Sequence, residues 1–183
     1  MFRVLIYPKE SIEELISKGS LLGPLMIHSI FAILIWGAIK YGPDKSLDFT
    51  WYFMEALYGD VVLAVCGTLA IIILTVIALH ILGRLFNGTG QYRDILIAYS
   101  YGLIPYYTGI LLAALFPRFV LQLVAFYLIW TVYLTVRLIS YAHDISIRKS
   151  IVLFLLSNSI LIVFIYLPTI FLILVANYNS FGR

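Results

Sequence analysis

Charge is the scarcest property of this sequence. Charged residues make up 11% of its 183 residues, less than half of the roughly 25% found in soluble domains. Apolar residues make up 63%, and the mean hydropathy is +1.04. A soluble fold has too little interior to bury so much apolar surface. The composition therefore excludes an ordinary soluble domain and predicts an integral membrane protein.

Cysteine is also scarce, and acids are missing from the apolar stretches. The single cysteine, Cys66, excludes an intrachain disulfide. The apolar stretches contain no Asp or Glu at depth and no His-Glu-x-x-His pattern, so an acid–base pair for intramembrane catalysis is lacking. We therefore predict that the protein is not an enzyme and has no cofactor. No cleavable signal peptide is expected, because Arg3, Lys9 and nearby glutamates interrupt the first apolar residues.

The histidines do not form an evident metal site. His143 and Asp144 are adjacent, but two neighbouring residues without further ligands make a poor metal site. His28 lies near one end of an apolar stretch, where a histidine is more often a packing residue than a ligand. We predict no metal.

Five apolar stretches are long enough to cross a bilayer as helices, which takes about 20 residues. They are residues 21–39, 61–79, 95–116 and 119–136 and a segment within 151–178. Pro105 predicts a kink in the third stretch, and Pro168 predicts one in the fifth. Because no strand-like alternation competes, the predicted fold class is an all-α integral membrane protein with five transmembrane helices.

A short helix is expected ahead of the first span, in the sequence PKESIEELISKG. Its apolar residues recur at helical spacing, and Ser11 with Glu14 fits a capping box. The pattern predicts an amphipathic helix that ends at Gly19. The expected organisation is a cytoplasmic segment over residues 1–20, a five-span membrane domain over residues 21–178 and a short tail over residues 179–183.

The distribution of Lys and Arg predicts the orientation, because cytoplasmic loops carry an excess of both. With a cytoplasmic N-terminus, most of these residues fall on the inner side. The inner residues are Arg3, Lys9, Lys18, Arg84, Arg93, Arg137, Arg148 and Lys149, and the outer ones are Lys40, Lys45, Arg118 and Arg183. We therefore predict a cytoplasmic N-terminus and a C-terminus outside.

The stretch HILGRLFNGTGQYRDILIAYSYGLIP, residues 80–105, joins the second and third predicted spans. Asn87 and Gly88 suit the left-handed conformations that end helices, and Asp94 suits the first turn of the next helix. The stretch lacks the Gly-Lys-Ser/Thr ending of a phosphate loop and follows no strand, so no nucleotide site is predicted. Its Asn-Gly-Thr pattern matches a glycosylation acceptor, but it falls on the predicted cytoplasmic side.

The same stretch carries the candidate binding residues. His80 and Arg84 are four residues apart and share one helix face, and Arg93 lies across a short turn from them. Together they are a candidate contact for a lipid headgroup phosphate or an acidic partner. The alternative is that they are snorkelling anchors that fix the orientation of the helix.

Two motifs resemble a known family. The residues that carry the resemblance are His80, Arg84, Gly88, Gly90, Tyr101, Gly102 and Pro105, together with Gly23 and Pro24 in the segment SLLGPLMI. They resemble the membrane domain of the Yip family of Ypt/Rab GTPase-interacting proteins, especially its short prokaryotic members. The family signature has an acidic residue and a Tyr ahead of Gly-Pro-Leu, and Leu22 replaces that Tyr here. The glycines and prolines are expected to be architectural.

The resemblance implies a non-enzymatic scaffold in membrane organisation or trafficking. Its candidate partners are the bilayer, anionic lipid headgroups and a membrane-protein partner or a second copy of the chain, with no nucleic acid. GTPase binding is not carried over, because the region and signature associated with it are reduced here. The expected location is the cell membrane of a prokaryote, or the ER or Golgi membrane if the protein is eukaryotic.

The alternative function is a small transporter or channel with a polar path between helices. The spans contain polar residues suited to line such a path, although interhelical hydrogen bonds are their commoner role. These residues are Thr68, Thr75, Tyr99, Tyr101, Tyr106, Tyr107, Gln122, Thr131, Thr135, Ser157, Asn158 and Ser159. Since no charge lies at depth, coupling to ions is weakly supported.

Overall fold

The structure is a computed structural model that describes residues 8–18, 20–41 and 60–163. Every regular element in these ranges is helical, which confirms the all-α prediction for them. The α-helices are α1 (Pro8–Lys18), α2 (Leu22–Tyr41), α3 (Val61–Leu85), α4 (Tyr92–Gly102), α5 (Ile104–Leu115), α6 (Val120–His143) and α7 (Ile147–Leu161). A short 3-10 helix, Pro117–Phe119, joins α5 to α6.

Four helical segments in the described residues are long and apolar enough to cross a membrane. They are α2, α3, the continuous α4–α5 segment Tyr92–Leu115, and α6. These segments correspond to the first four predicted spans. The fifth predicted span begins in α7, and the remainder of it, with Pro168, lies outside the described residues. The count of five spans and the three-part domain organisation therefore stay predictions.

Capping, rather than hydropathy, sets the helix boundaries. Asp60 Oδ1 accepts hydrogen bonds from the backbone N–H groups of Val62 (2.8 Å) and Leu63 (3.1 Å), which starts α3. At the other end α3 continues past His80 to Leu85. Likewise α6 continues past the charge at Arg137 and ends only at the left-handed Asp144. Both helices continue beyond the apolar runs predicted as spans, because polar side chains at a helix end reach solvent without ending the helix.

The third span, in which the sequence predicted a kink at Pro105, is interrupted at one residue just before that proline. Helix α4 ends at Gly102 and α5 begins at Ile104, with Leu103 between them. The N–H of Leu103 donates to the carbonyl of Tyr99, and the N–H of Tyr107 donates to the carbonyl of Leu103, both at 3.1 Å. Because Pro105 has no N–H, the carbonyl four residues before it loses its helical donor. The interruption is confined to Leu103, whose backbone stays in the right-handed helical region with φ −81° and ψ −8°.

The broken span is the centre of the bundle. In its most apolar stretch of 18 residues, 67% of the residues are buried, whereas the corresponding share is 28% in α3 and 39% in α6. It contacts α2, α3 and α6, and the consecutive residues from Ile95 to Ser100 are all buried. This span therefore lies at the centre of the described helices.

Helix α1 lies against α4 and α6. Its Ile12 is fully buried in a cluster with Ile97 and Leu138. The helix begins at Pro8, a residue type favoured in the first helical turn. Ser11 therefore lies inside the helix and is buried, so the predicted capping box of Ser11 and Glu14 is wrong.

Candidate functional site

Two residues of the turn between α3 and α4, Asn87 and Asp94, have the roles that the sequence predicted. Asn87 adopts a left-handed conformation with φ 61°, and the N–H of Gly88 donates to the carbonyl of Gly83 at 2.9 Å. This pairing closes the end of α3 in the manner of a Schellman motif. At the start of α4, Asp94 Oδ2 accepts from the N–H of Gln91 at 3.2 Å. The predicted roles of Asn87 and Asp94 are confirmed.

The turn also docks on the end of α6. The N–H of Thr89 donates to the carbonyl of His143 at 2.9 Å. A Cβ added at Gly90 would overlap the carbonyl of Ala142 and lie 3.2 Å from the Cα of His143. A side chain at position 90 would therefore push the turn away from α6, because its obstacle is backbone.

His143 occupies a notch between glycines. Its ring is fully buried, and a Cβ on either Gly83 or Gly88 would overlap it. Neither ring nitrogen has a hydrogen-bond partner among the described residues, although the carbonyl of Leu79 lies near the ring at poorer geometry. We call the residues His80, Gly83, Arg84, Gly88 and His143 the inner notch.

Sequence reasoning missed His143. It considered the adjacent pair of His143 and Asp144 as a weak metal site, whereas Asp144 is the exposed, left-handed cap of α6 with φ 53°. No group of three or more His, Cys, Asp or Glu in the described ranges is placed to hold a metal ion. A signal that could have pointed to His143 is the pair of glycines around the turn, Gly83 and Gly88, because glycine is favoured where another part of the chain approaches closely.

The structure brings His80 and Arg84 together at His143. Both are close enough to the imidazole of His143 to interact with it electrostatically. His80 Nδ1 is buried without a hydrogen-bond partner, and its ring meets Tyr92 edge-on at 6.3 Å. Arg84 is exposed, and its Nη1 makes one long hydrogen bond of 3.4 Å to the carbonyl of Gly88. Its remaining donors are available to an anionic group.

Arg93, the third candidate, is oriented differently. Its Nε lies 3.5 Å from Oδ1 of Asp94, and its side chain is 42% exposed. So exposed an ion pair contributes little stability and is easily exchanged. Lys149 completes the positive rim, since its Nζ donates to the carbonyl of Phe86 at 3.2 Å. The rim of Arg84, Arg93 and Lys149 therefore surrounds the turn, while only Arg84 reaches the inner notch.

The family-like glycines and prolines differ in their surroundings. A Cβ on Gly102 would lie 2.9 Å from the Cα of Thr135, which requires glycine at this crossing of α4 and α6. A Cβ on Gly23 would meet only the hydroxyl of Tyr101 at 3.9 Å, an ordinary contact. Pro24 and Pro105 are both buried.

A second polar cluster lies inside the bundle. His28 Nδ1 is 2.8 Å from the hydroxyl of Tyr107, and His28 Nε2 is 2.8 Å from the hydroxyl of Ser100. All three residues are buried, and Phe31 stacks on Tyr107 with ring centroids 5.2 Å apart. One ring nitrogen donates and the other accepts, depending on the tautomer. His28 is thus a hydrogen-bonded packing residue, as the sequence indicated.

These features define a helical, multi-pass membrane protein with a broken central span. The Yip1 domain matches residues 2–176, which is nearly the whole chain. The chain therefore belongs to the Yip1 domain family, and the resemblance seen in its motifs is confirmed. No curated protein and no solved structure matches it.

Proposed function

We propose that this protein is a non-enzymatic scaffold for membrane organisation, whose inner notch and basic rim bind the phosphate of an anionic lipid headgroup. The N-terminus lies in the cytoplasm, and the bilayer is the first partner of the protein. A membrane-protein partner or a second copy would assemble around the lipid-bound form.

The observation that carries this proposal is the combination of an exposed guanidinium with unpaired imidazole nitrogens. Arg84 presents free donors beside His80 Nδ1 and the two ring nitrogens of His143, which are buried and have no well-formed hydrogen bond to any described residue. A buried polar atom left unpaired is destabilising by about 1–3 kcal/mol. A phosphate oxygen would accept from Arg84 bidentately and would reduce this penalty where it reaches an imidazole N–H.

The surrounding charges support the same ligand. Arg93, Arg148 and Lys149 are on the same side of the bundle as Arg84 in the predicted topology, and the last two are exposed. The cytoplasmic leaflet is negatively charged, and each Lys or Arg near its surface contributes about 1 kcal/mol of attraction. The rim would therefore concentrate anionic lipid, and the inner notch would orient its phosphate.

The second candidate function is transport of a small molecule. A cavity of about 240 Å³ lies beside the broken third span and is lined partly by polar residues that the sequence singled out. These are Thr68, Tyr99, Tyr106, Tyr107, Thr131 and Asn158. Other candidates hydrogen-bond within their own helix, such as Thr75 to the carbonyl of Ile71 at 2.7 Å. Transport needs a path to both faces, so flux into reconstituted vesicles would decide between the two functions.

The experiment for headgroup binding compares substitutions of Arg84. The protein is extracted in mild detergent, its folded fraction is isolated by size exclusion, and bound phospholipid is quantified per protein. We expect Arg84→Ala to lower the retained anionic lipid by about tenfold and Arg84→Lys to restore only part of it, because Lys lacks the planar guanidinium. The matched control is Arg118→Ala, which removes an exposed arginine near the other end of α6.

Three results would contradict the proposal. Full retention of lipid by Arg84→Lys, with loss of expression alone in Arg84→Ala, would make these residues snorkelling anchors. Equal loss in the Arg118→Ala control would indicate non-specific lipid association. Unchanged lipid with loss of a co-purifying protein would show that the ligand is an acidic partner.

A further inference from the structure

The cavity beside the broken third span has a defined chemistry. Four segments line it: α3 through Thr68 and Ile72, the break through Leu103, α6 through Thr131, and α7 through Phe154 and Asn158. Thr68, Ile72, Leu103 and Thr131 lie well inside their spans, and Phe154 and Asn158 lie in α7. We call this space the midplane cavity.

We propose that the midplane cavity binds a small uncharged molecule that has an apolar body and a hydrogen-bond donor, and that enters from the bilayer. This site is separate from the inner notch and does not depend on headgroup binding. A transporter would need a ligand site of this kind, but a ligand can bind in the cavity of a protein that does not transport it.

The lining residues exclude a charged ligand. Among the described residues around the cavity there is no carboxylate, amine, guanidinium or imidazole. An ion in this space would lose its hydration without gaining an opposite charge, at a cost of several kcal/mol at membrane depth. A neutral molecule avoids that penalty.

Two polar side chains of the lining can accept a hydrogen bond from a ligand. Asn158 Nδ2 donates one of its two protons to the carbonyl of Phe154 at 2.7 Å, and the oxygen of this amide remains as an acceptor. Thr131 donates its hydroxyl proton to the carbonyl of Tyr127 at 2.7 Å. Its lone pairs remain, so a ligand with a hydrogen-bond donor fits both side chains.

The volume of the cavity and its apolar lining residues indicate the size and the apolar part of the ligand. A cavity of about 150 Å³ lined by aliphatic and aromatic residues is enough to bind benzene. The midplane cavity, at about 240 Å³, accommodates one ring with a short substituent. Ile72, Leu103 and Phe154 supply apolar contact for that ring.

The cavity is open toward the surface of the bundle. Leu103, at the interruption of the third span, lines it. Three further lining residues, Tyr106, Leu128 and Val132, are exposed on the membrane-facing surface at 36%, 46% and 37%. A molecule dissolved in the bilayer therefore reaches the cavity laterally.

Three ring compounds of nearly equal size test the proposal. Benzyl alcohol has a donor, ethylbenzene has none, and benzylammonium has donors with a charge. Binding to the purified protein in lipid nanodiscs is measured by equilibrium dialysis, and empty nanodiscs correct for partition into lipid. We expect protein-dependent binding of benzyl alcohol about fivefold tighter than that of ethylbenzene, the contribution of one net hydrogen bond, and no protein-dependent binding of benzylammonium.

Two variants locate the bound molecule. Asn158→Leu removes the acceptor at similar volume, and Thr131→Val removes the hydroxyl while it keeps the shape. Benzyl alcohol donates a single proton, so the variant that removes its acceptor should abolish the preference for benzyl alcohol over ethylbenzene, and the control Ser159→Leu, an exposed neighbour on α7, should leave it unchanged. If Asn158→Leu does not fold, Thr131→Val carries the comparison.

The proposal is overturned by any of three outcomes. Equal affinity for benzyl alcohol and ethylbenzene would reduce the cavity to an apolar groove. Absence of protein-dependent binding for all three compounds would show that the cavity is not a site. A preference that persists in both variants would place the bound molecule elsewhere.

Discussion

Two neighbouring spans of this bundle contain similar small and polar residues and use them differently. In α3, Gly67 has nothing within 4 Å of an added Cβ, and Cys66 is exposed. In the third span, a Cβ on Gly102 or Gly109 would overlap Thr135 or Tyr127 of α6. Gly67 and Cys66 of the peripheral helix lie on an open surface, whereas Gly102 and Gly109 of the central one permit close helix approach.

The inner end of α3 departs from the rest of that helix. Gly83 is buried against the ring of His143, although it belongs to the same span as the open Gly67. The role of a glycine therefore depends on where a second helix approaches, and along α3 this happens where the turn meets α6. This local enclosure is what creates the inner notch.

The largest expected effect contrasts two glycines. Gly102→Leu should destabilise the protein by about 3 kcal/mol or more, because its side chain would meet the backbone of α6. Gly67→Leu, on the open surface of α3, should change stability by less than about 0.5 kcal/mol. Thermal unfolding in detergent, followed by size exclusion, measures both, and similar losses in the two variants would remove the distinction between the spans.

The next effect concerns polar groups in the same two spans. His28→Leu leaves the hydroxyls of Tyr107 and Ser100 without their partner, and we expect a loss of about 1–3 kcal/mol. Thr75→Val should change stability by less than about 0.5 kcal/mol, because the hydroxyl of Thr75 hydrogen-bonds only to the carbonyl of Ile71 in its own helix. Denaturation of the two variants side by side provides the test. A larger loss in Thr75→Val would contradict our interpretation of α3.

A third, smaller effect on stability concerns Gly83, the glycine of α3 that is buried at the inner notch. Gly83→Ala should destabilise the protein by about 1–2 kcal/mol, since the new methyl group would overlap the imidazole of His143. In a His143→Ala background the same substitution should be nearly neutral. The coupling energy from this double-mutant cycle should therefore be about 1 kcal/mol or more, and additive effects would show that the two residues are not in contact.

The sequence predicted the helical spans well because long apolar runs require burial in lipid. It also predicted Asn87 as a helix end, Asp94 as a first-turn residue and a kink at Pro105, next to which the helix is interrupted at Leu103, because each acts through its own backbone geometry. It did not predict the burial of His143 or the different surroundings of Gly23 and Gly102. Those depend on how closely two helices approach, which no local pattern encodes.

The smallest effect lies in the turn itself. Asn87 has φ 61°, a conformation in which a residue with a plain Cβ is disfavoured by about 1–2 kcal/mol. Asn87→Ala should therefore lower stability by about 1 kcal/mol, and Asn87→Gly should be neutral or slightly stabilising. Melting temperatures of the two variants provide the comparison. An equal loss in both would mean that the amide of Asn87, rather than its backbone conformation, matters.

The central claim is that the inner notch and its basic rim face the cytoplasm, where anionic lipid is available. In a Cys66→Ala background, single cysteines replace Gln91 at the start of α4 and Arg118 at the other end of the bundle, both of them exposed positions. Intact cells are then treated with a membrane-impermeant thiol reagent. The account predicts labelling at position 118 and none at position 91 until the cells are opened, and labelling at position 91 with none at position 118 would contradict it.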